Sequence, residues 1–485
     1  MLLSEFLKRV GFENIVSIEK DINLTHVVMD SRSVSTETIF FAKSGTLLDG
    51  HAFIDQAIAK GAPVIVYDPK KYKPILNDKV VFLPAENPNQ LLTQILSLVY
   101  PIDFGQISVV GITGTNGKTT LTYLLESIIQ SHQSHCGVVG TINYRYANTV
   151  LDATNTTPSV TEIHRLIHDM QKNDIDYCVM EVSSHALDQG RVEGIEFGTS
   201  IFTNLTSDHL DYHQTRENYF SAKSKLFQNL STEADAVLNA DDPYSQRLRT
   251  LTSGKIITYG IQNKADISVL NMDISLKSTL LKIRTPNGNI NLQSQLIGRF
   301  NVYNILAAVA FGYAENFTLS EIKNGIEKLS TIPGRMEKID LKQEFSVFID
   351  YAHTDDALRN VLQTIREASD EKLILVFGCG GDRDRTKRPE MAKTASQYAD
   401  FTIITSDNPR TENPESIINE ITSAMTTDAY AVNVNRESAI KQALLLARPK
   451  DIVLIAGKGH ENYQIVQDGA IKFDEREIIK TCLLK

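Results

Sequence analysis

The sequence predicts three α/β domains in tandem, the second and third built on mostly parallel sheets. At 485 residues the chain is too long for one core, and at about 150 residues per domain three are expected. Apolar runs rich in Val and Ile alternate with segments of helical spacing, the pattern of parallel strands joined by crossover helices. Pro84, Pro88 and Pro101, and later the TIPGRME stretch, interrupt that alternation. Boundaries are therefore expected at 1–100, 101–332 and 333–485.

In the first domain, VVM at 27–29, IFF at 39–41, VIVY at 64–67 and VVFL at 80–83 read as short strands around the helix-like AFIDQAIAKGA. Apolar residues make up 42% and charged residues 22%, so the chain should fold throughout. A net charge of −10 argues against nucleic acid or an anionic membrane as partner, because both need a broad positive field. The N-terminal MLLSEFLKRVGF carries Glu5 in a short apolar stretch without a small-residue cleavage site, and no run approaches about 18 apolar residues. A cytoplasmic protein without a membrane span is expected. Cys136, Cys178, Cys379 and Cys482 form no C-x-x-C pair, so they are expected as buried free thiols.

The second domain opens with ISVVGIT as a buried strand, and Leu121, Leu124, Leu125, Ile128 and Ile129 then recur at helical spacing. Between them lie Gly114, Thr115, Asn116, Gly117, Lys118, Thr119 and Thr120. Glycines let backbone N–H groups approach phosphate oxygens, the helix N-terminus adds positive potential, Lys118 neutralises charge and the Thr119 hydroxyl can ligate Mg²⁺. The alternative is a Gly-rich turn with an exposed lysine, but the flanking strand and helix favour ATP binding in a P-loop ATPase-like domain. Isoleucine stands at position 112, where the usual G-x-x-x-x-G-K-[ST] spacing has glycine. Further strands are expected at DYCVMEV (176–182), SIFTNL (200–205) and DAVLNA (235–240).

The third domain alternates FSVFIDYAH, KLILVFGCGG, FTIITSDNPR and DIVLIAGKGH with helices, which reads as Rossmann-like. Each strand runs straight into a polar motif, where functional groups of such sheets collect. In the second domain, Glu181 and His209 likewise follow strands. Taken alone, each is a polar strand end; together behind a P-loop they suit Mg²⁺, which accepts carboxylates and sometimes imidazole. Lys223, in YFSAKSKLF, reads by itself as a solvated helix lysine.

The variant T-G-T-N-G-K-T resembles that of the Mur ligases and the folylpolyglutamate synthases, which join an activated carboxylate to an amine through an acyl phosphate. Asp30-Ser31-Arg32, Asn155-Thr156-Thr157-Pro158, the run from Gly298 to Ala308, Pro333-Gly334-Arg335-Met336-Glu337 and Asp350-Tyr351-Ala352-His353 extend the likeness over essentially the whole chain. It is specific to the Mur ligases that add the third amino acid. Implied by the resemblance are ATP and Mg²⁺ as cofactors, with Asn301 near the base, Arg335 at the phosphates and Asp350 at the nucleotide. Thr119, Glu181, His209 and Lys223, the last as a carbamate, would hold the metals. Ser31, Thr46, Asn155, Thr156, Thr157, Ser183, Gln189 and Arg191 would bind a UDP-N-acetylmuramoyl-L-alanyl-D-glutamate substrate; TLLDG at Thr46 departs from the family's usual residues. Lys118, Glu181, His209 and Lys223 would form the catalytic set, in a monomer whose partners are small molecules. Closure of the third domain onto the second is implied, with an open form before ligands bind.

The stretch Asp407-Asn408-Pro409-Arg410 looks like that of diaminopimelate-adding relatives, whereas lysine-adding ones generally lack the arginine. A planar guanidinium can hold the distal carboxylate that diaminopimelate has and lysine lacks. Positions matching the family pocket are Arg383, Asp407, Asn408, Pro409, Arg410, Gly457 and Glu461. Offered lysine, Arg410 would stay desolvated and unpaired, which can discriminate by on the order of 10⁴. The expected product is therefore an amide of meso-2,6-diaminopimelate. L-lysine addition, folylpolyglutamate synthesis and a non-catalytic nucleotide sensor are the alternatives. DSR and NTTP disfavour the folate reading, and an intact Lys118, Glu181, His209 and Lys223 disfavour the sensor.

Overall fold

The computed structural model describes residues 1–13, 21–45, 48–75, 79–206 and 208–484. Thr46 lies outside the described residues. The first sheet contains β1 (His26–Val28), β2 (Thr38–Phe41), β3 (Val64–Tyr67) and β4 (Val81–Pro84), all parallel and in chain order. Its next helix, Pro88–Val99, starts where the Asn87 side chain accepts from the Gln90 N–H, and buries Leu92, Ile95 and Leu96.

The second sheet has eleven strands. They are β5 (Ser108–Thr113), β6 (Cys136–Val139), β7 (Asn143–Tyr146), β8 (Thr149–Asp152), β9 (Tyr177–Glu181), β10 (Thr199–Phe202), β11 (Asp235–Asn239), β12 (Lys255–Gly260), β13 (Ile267–Ile274), β14 (Thr279–Thr285) and β15 (Gly288–Ser294). The order is β15-β14-β13-β12-β11-β10-β5-β9-β6-β7-β8. Its centre, from β13 to β6, is parallel, and antiparallel hairpins extend both edges. The hairpins were not anticipated, although TLLKIRT alternates buried and exposed residues along its length and Asn287-Gly288 follows it, a period-2 run ending at a turn signal. Helix Lys118–Ser131 buries Leu121, Leu124, Leu125, Ile128 and Ile129 against one face, as the spacing predicts. Helix Arg299–Ala314 packs into the same core and is apolar almost all round, the mark of a helix inside a domain.

The third sheet contains β16 (Glu337–Ile339), β17 (Ser346–Asp350), β18 (Leu373–Phe377), β19 (Phe401–Ile404), β20 (Tyr430–Val432) and β21 (Ile452–Ala456), in the order β16-β17-β21-β18-β19-β20. Only the β16–β17 pair is antiparallel. Apolar cores cover both faces, which is why these strands read as continuous apolar runs. A small hairpin, β22 (Tyr463–Val466) with β23 (Gly469–Lys472), closes over the end of this domain. Cys136, Cys178 and Cys379 are buried free thiols, but Cys482 is only partly buried, because it sits in the chain's last helix, Glu475–Leu483. No helix among the described residues is long and apolar enough to cross a membrane.

Candidate functional site

The strand β5 hands the chain to the Gly-rich loop at Gly114, and Gly117 starts the following helix with φ of 92°. A Cβ there would stand 2.4 Å from Asn304 Oδ1, so the left-handed backbone and the close approach both require glycine. The loop is fixed from β10's end: Thr115 N–H donates to the Asn204 carbonyl (2.8 Å) and Asn116 N–H to Asn204 Oδ1 (2.9 Å). Lys118 curls back, its Nζ donating to the carbonyls of Gly114 and Thr115, each at 2.9 Å. Burial holds its pKa below the ordinary lysine value.

Thr119 Oγ1 donates to both Glu181 oxygens at 3.0 Å. The same carboxylate accepts from Thr141 N–H (2.8 Å) and Thr141 Oγ1 (3.1 Å). From the third domain, Arg335 Nη2 donates to Thr119 Oγ1 at 3.1 Å, and its guanidinium lies over the Tyr351 ring. Asp350, at the end of β17, accepts from the N–H groups of Met336 (2.6 Å) and Ala352 (2.8 Å). Lys223 is buried with its Nζ on the Gly114 carbonyl at 2.8 Å. Burial, then the nearby Lys118, push its pKa far below the usual value. His209 has a left-handed φ of 53° and stacks edge-on with His185 at 4.8 Å between ring centroids. Burial, with cationic neighbours, pushes its pKa down to about 4, so the imidazole is neutral at physiological pH and free to act as a ligand. Among the described residues no three His, Cys, Asp or Glu side chains form a metal cluster; Glu181 has only hydroxyl and N–H partners.

Beside the loop opens a cavity of 340 Å³ lined by Asn116, Gly117, Thr120, Asn304, Arg335 and Asp350 among others. Asn301 is not among its lining residues: it is buried with Nδ2 on the Ile297 carbonyl (2.8 Å), and its Oδ1 accepts from Asn304 (3.1 Å). Asn304 faces the cavity in its stead, with Asn301 setting its orientation. The sequence reading also missed Asp356, from the third-domain helix Asp355–Ala368. Its Oδ2 accepts from Asn116 Nδ2 (2.9 Å) and Thr206 Oγ1 (3.1 Å). No local pattern marks that aspartate, because its partners lie 240 and 150 residues away. Together with Arg335 it brings the third domain onto the Gly-rich loop.

A second cavity, of 980 Å³, lies between the first and second domains and is lined by Ser31, Gln189 and Arg191. Arg191 donates to Gln189 Oε1 (2.7 Å) and to the Thr157 carbonyl (2.8 Å). Thr157 Oγ1 donates to the Glu181 carbonyl (2.8 Å) and accepts from the Ser183 N–H (2.9 Å). Thr156 Oγ1 lies 3.0 Å from Thr141 Oγ1. Asn155 lines an adjoining cleft rather than this cavity. One hydrogen-bonded series thus runs from Arg191 to Glu181.

The third group gathers at the ends of β19 and β21. Lys458, fully buried and not singled out from sequence, donates to Glu461 Oε2 (2.7 Å) and Asn408 Oδ1 (3.0 Å), while Asn408 Nδ2 donates to Glu461 Oε2 (2.9 Å). Asp407 is buried with Oδ2 free of hydrogen bonds but 4.0 Å from Arg436 Nη1, beside Gly457, where a Cβ would approach that oxygen to 2.5 Å. Arg410 has φ of 55° and donates from Nη1 to the Gly381 carbonyl at 2.8 Å. Pro409 is buried behind it. Arg383 stands apart, exposed in a 450 Å³ cleft that it shares with His209 and His353.

Comparison with known proteins follows this layout. The model described as Mur ligase family, catalytic domain matches residues 23–100, Mur ligase middle domain matches 112–312, and Mur ligase, glutamate ligase domain matches 334–459. A UDP-N-acetylmuramoyl-L-alanyl-D-glutamate--2,6-diaminopimelate ligase of Oceanobacillus iheyensis is 40% identical over 492 residues, covering 100% of this chain and 99% of that protein. A relative of the same name from Clostridium tetani is 41% identical, with 99% of each covered. A solved structure bearing the same ligase name superposes with a TM-score of 0.68 at 32% identity, covering 100% of this chain and 98% of that one.

Proposed function

Since the chain belongs to the Mur ligase family, we propose that it is an ATP-dependent ligase adding meso-2,6-diaminopimelate to UDP-N-acetylmuramoyl-L-alanyl-D-glutamate in peptidoglycan precursor synthesis. The observation that carries this reading is the convergence of Thr119, Glu181 and the third domain's Arg335. A P-loop hydroxyl, an acid from the neighbouring strand and a guanidinium from the amino-acid-binding domain meet at one point, where phosphoryl transfer and amide formation can share a substrate.

The dipeptide's terminal carboxylate attacks the ATP γ-phosphorus, giving an acyl phosphate and ADP. The diamino acid's amine then attacks the acyl carbon, phosphate leaves, and the nitrogen gives up a proton to water as the amide forms. Lys118, released from its loop carbonyls, and Arg335 neutralise charge on the transferred group; catalysis is otherwise positioning. Thr119, Glu181, the neutral His209 and Lys223 suit Mg²⁺, which would spread the phosphoryl charge further. A buried amine held neutral reacts with CO₂ to give a carbamate and a proton, so Lys223 can supply a further oxygen donor beside Glu181 and Thr119. Thr156, Thr157, Ser183, Gln189 and Arg191 bind the UDP-linked dipeptide, with Ser31 across the cavity.

For the amine, Arg410 is the deciding residue. Nη1 is held by carbonyls, and among the described residues Nε and Nη2 have no protein acceptor, so a fork remains for the distal carboxylate. Glu461, its Oε2 held by Asn408 and Lys458, is poised to take the ammonium on Oε1. The reaction is assigned to the cytoplasm, where ATP is available, and to a monomer. Phosphate release with the UDP-linked dipeptide and ATP, given either meso-diaminopimelate or L-lysine, tests the reading. Diaminopimelate should be strongly preferred, and equal use of lysine would refute it.

A further inference from the structure

We infer that Glu412, clamped by the buried Arg388, is the positioning residue that holds Arg410 in place and thereby sets the choice of diamino acid. The inference rests on the proposed reaction and deepens it.

Two loops meet here, one from β18 carrying Arg383 and one from β19 carrying Arg410. Their backbones touch: Gly381 N–H donates to the Asn408 carbonyl at 2.9 Å, and a Cβ on Gly381 would stand 1.9 Å from the Pro409 carbonyl oxygen. Thr411 donates from N–H and Oγ1 to Asp382, at 3.2 and 2.8 Å. Glu412 closes the junction. Oε1 accepts from Asp382 N–H (2.7 Å) and Arg388 Nη2 (2.9 Å); Oε2 accepts from Arg385 Nη2 (2.7 Å) and Arg388 Nη1 (3.2 Å). Its N–H also donates to the Pro409 carbonyl (3.0 Å), so one residue ties the turn around Arg410 to the loop bearing Arg383. Arg388 has a side chain with no exposed surface and adds a hydrogen bond to the Gly380 carbonyl (3.3 Å).

Arg410 needs that support. Its left-handed backbone is unfavourable for a residue with a Cβ, and its Nη1 rests on the Gly381 carbonyl supplied by the other loop. A bidentate contact to a carboxylate tolerates little displacement. Glu412 itself touches no substrate; it acts through Arg410.

Glu412→Gln is nearly isosteric, yet every orientation of the amide turns an NH₂ toward two donors. Steady-state rates with meso-diaminopimelate and L-lysine, with the KM for ATP measured in parallel, test the inference. For Glu412→Gln the KM for diaminopimelate should rise about 10- to 100-fold and the preference over lysine should fall at least about tenfold. The KM for ATP should stay within about twofold, which a merely unfolded or loosened enzyme would not show. Arg388→Lys, retaining charge without the bidentate fork, should show the same pattern more weakly. A Glu412→Gln enzyme that keeps the wild-type preference, or that loses diaminopimelate and ATP binding together, overturns the inference alone. Wild-type enzyme that uses lysine as well as diaminopimelate overturns the reaction and the inference with it.

Discussion

Lys223 beside the nucleotide loop and Arg388 behind the amino-acid pocket are both buried cations, 2% and 0% exposed, partnered in opposite ways. Lys223 has a backbone carbonyl and the Tyr219 ring; Arg388 has two carboxylates, Glu412 and Glu420, each within 2.9 Å. A buried charge without a counter-charge is costly and shifts toward its neutral form, whereas a paired one keeps its charge and rigidifies its surroundings. On the proposed function, the first region thus leaves its amines available for phosphate and for carbamate formation, while the second uses its charges to hold loops still. One region is poised for chemistry and the other for recognition.

The same substitution at the two positions should break them in opposite directions. Lys223→Met should lower kcat by about 10³ or more, since a group at the developing phosphoryl charge is lost. Yet its melting temperature, measured without nucleotide in CO₂-depleted buffer, should rise. The sign follows from the depressed pKa: the folded state disfavours the protonated lysine, so wild-type stability increases with pH. The variant's advantage shrinks as the pH rises toward the ordinary lysine value of 10.5. Arg388→Met should instead destabilise the fold by up to about 3 kcal/mol in urea titration, because Glu412 and Glu420 lose the buried guanidinium and keep the exposed Arg385 as their cationic partner. A Lys223→Met protein that melts lower, or an Arg388→Met protein as stable as wild type, would erase the distinction.

Arg410 lies where the two behaviours meet, half held by the Gly381 carbonyl and half free. Arg410→Ala should raise the KM for diaminopimelate about 100-fold, near 3 kcal/mol, the usual loss when a charged hydrogen-bond partner is removed. The KM for ATP should barely change. Isothermal titration of diaminopimelate into enzyme loaded with the UDP-linked dipeptide and a non-hydrolysable ATP analogue would show the same loss directly, and unchanged binding would remove Arg410 from the pocket.

Much of this contrast was legible in the sequence, unevenly. The nucleotide loop and its strand and helix follow from local order, and Leu121 to Ile129 bury as their spacing demands. Lys223 by itself reads as a solvated helix lysine; burial became visible only once helix Arg216–Gln228 was placed beneath Gly114. Arg388 ends a run of alternating charges that local pattern marks as solvent-facing, yet it lies in the first turn of helix Lys387–Tyr398, and Glu412 and Glu420, 24 and 32 residues away, draw it inward. Asn301 and Asn304 share a motif and differ by one helical turn, so only packing decides which one faces the cavity. Pairings across domains, such as Asp356 with Asn116, carry no local signal at all.

Asp235 offers the gentlest test of the same distinction, away from both sites. It begins β11 and is partly buried near Glu315, another acid, with Lys255 as an opposing charge. Burial, then Glu315, push its pKa up to about 6. A raised acid pKa means the folded state holds the proton more tightly than the unfolded one, so ionisation costs stability as pH rises from 3.8 through about 6. Asp235→Asn removes that cost. The full shift would correspond to about 3 kcal/mol, and partial exposure reduces the expected gain to on the order of 1 kcal/mol. The gain should be absent at pH 3.5 and complete by pH 7, with catalysis unchanged at both. If wild type and variant instead run parallel across that range, Asp235 is adequately paired, and lack of an opposite charge is not what separates the costly buried groups of this protein from the stabilising ones.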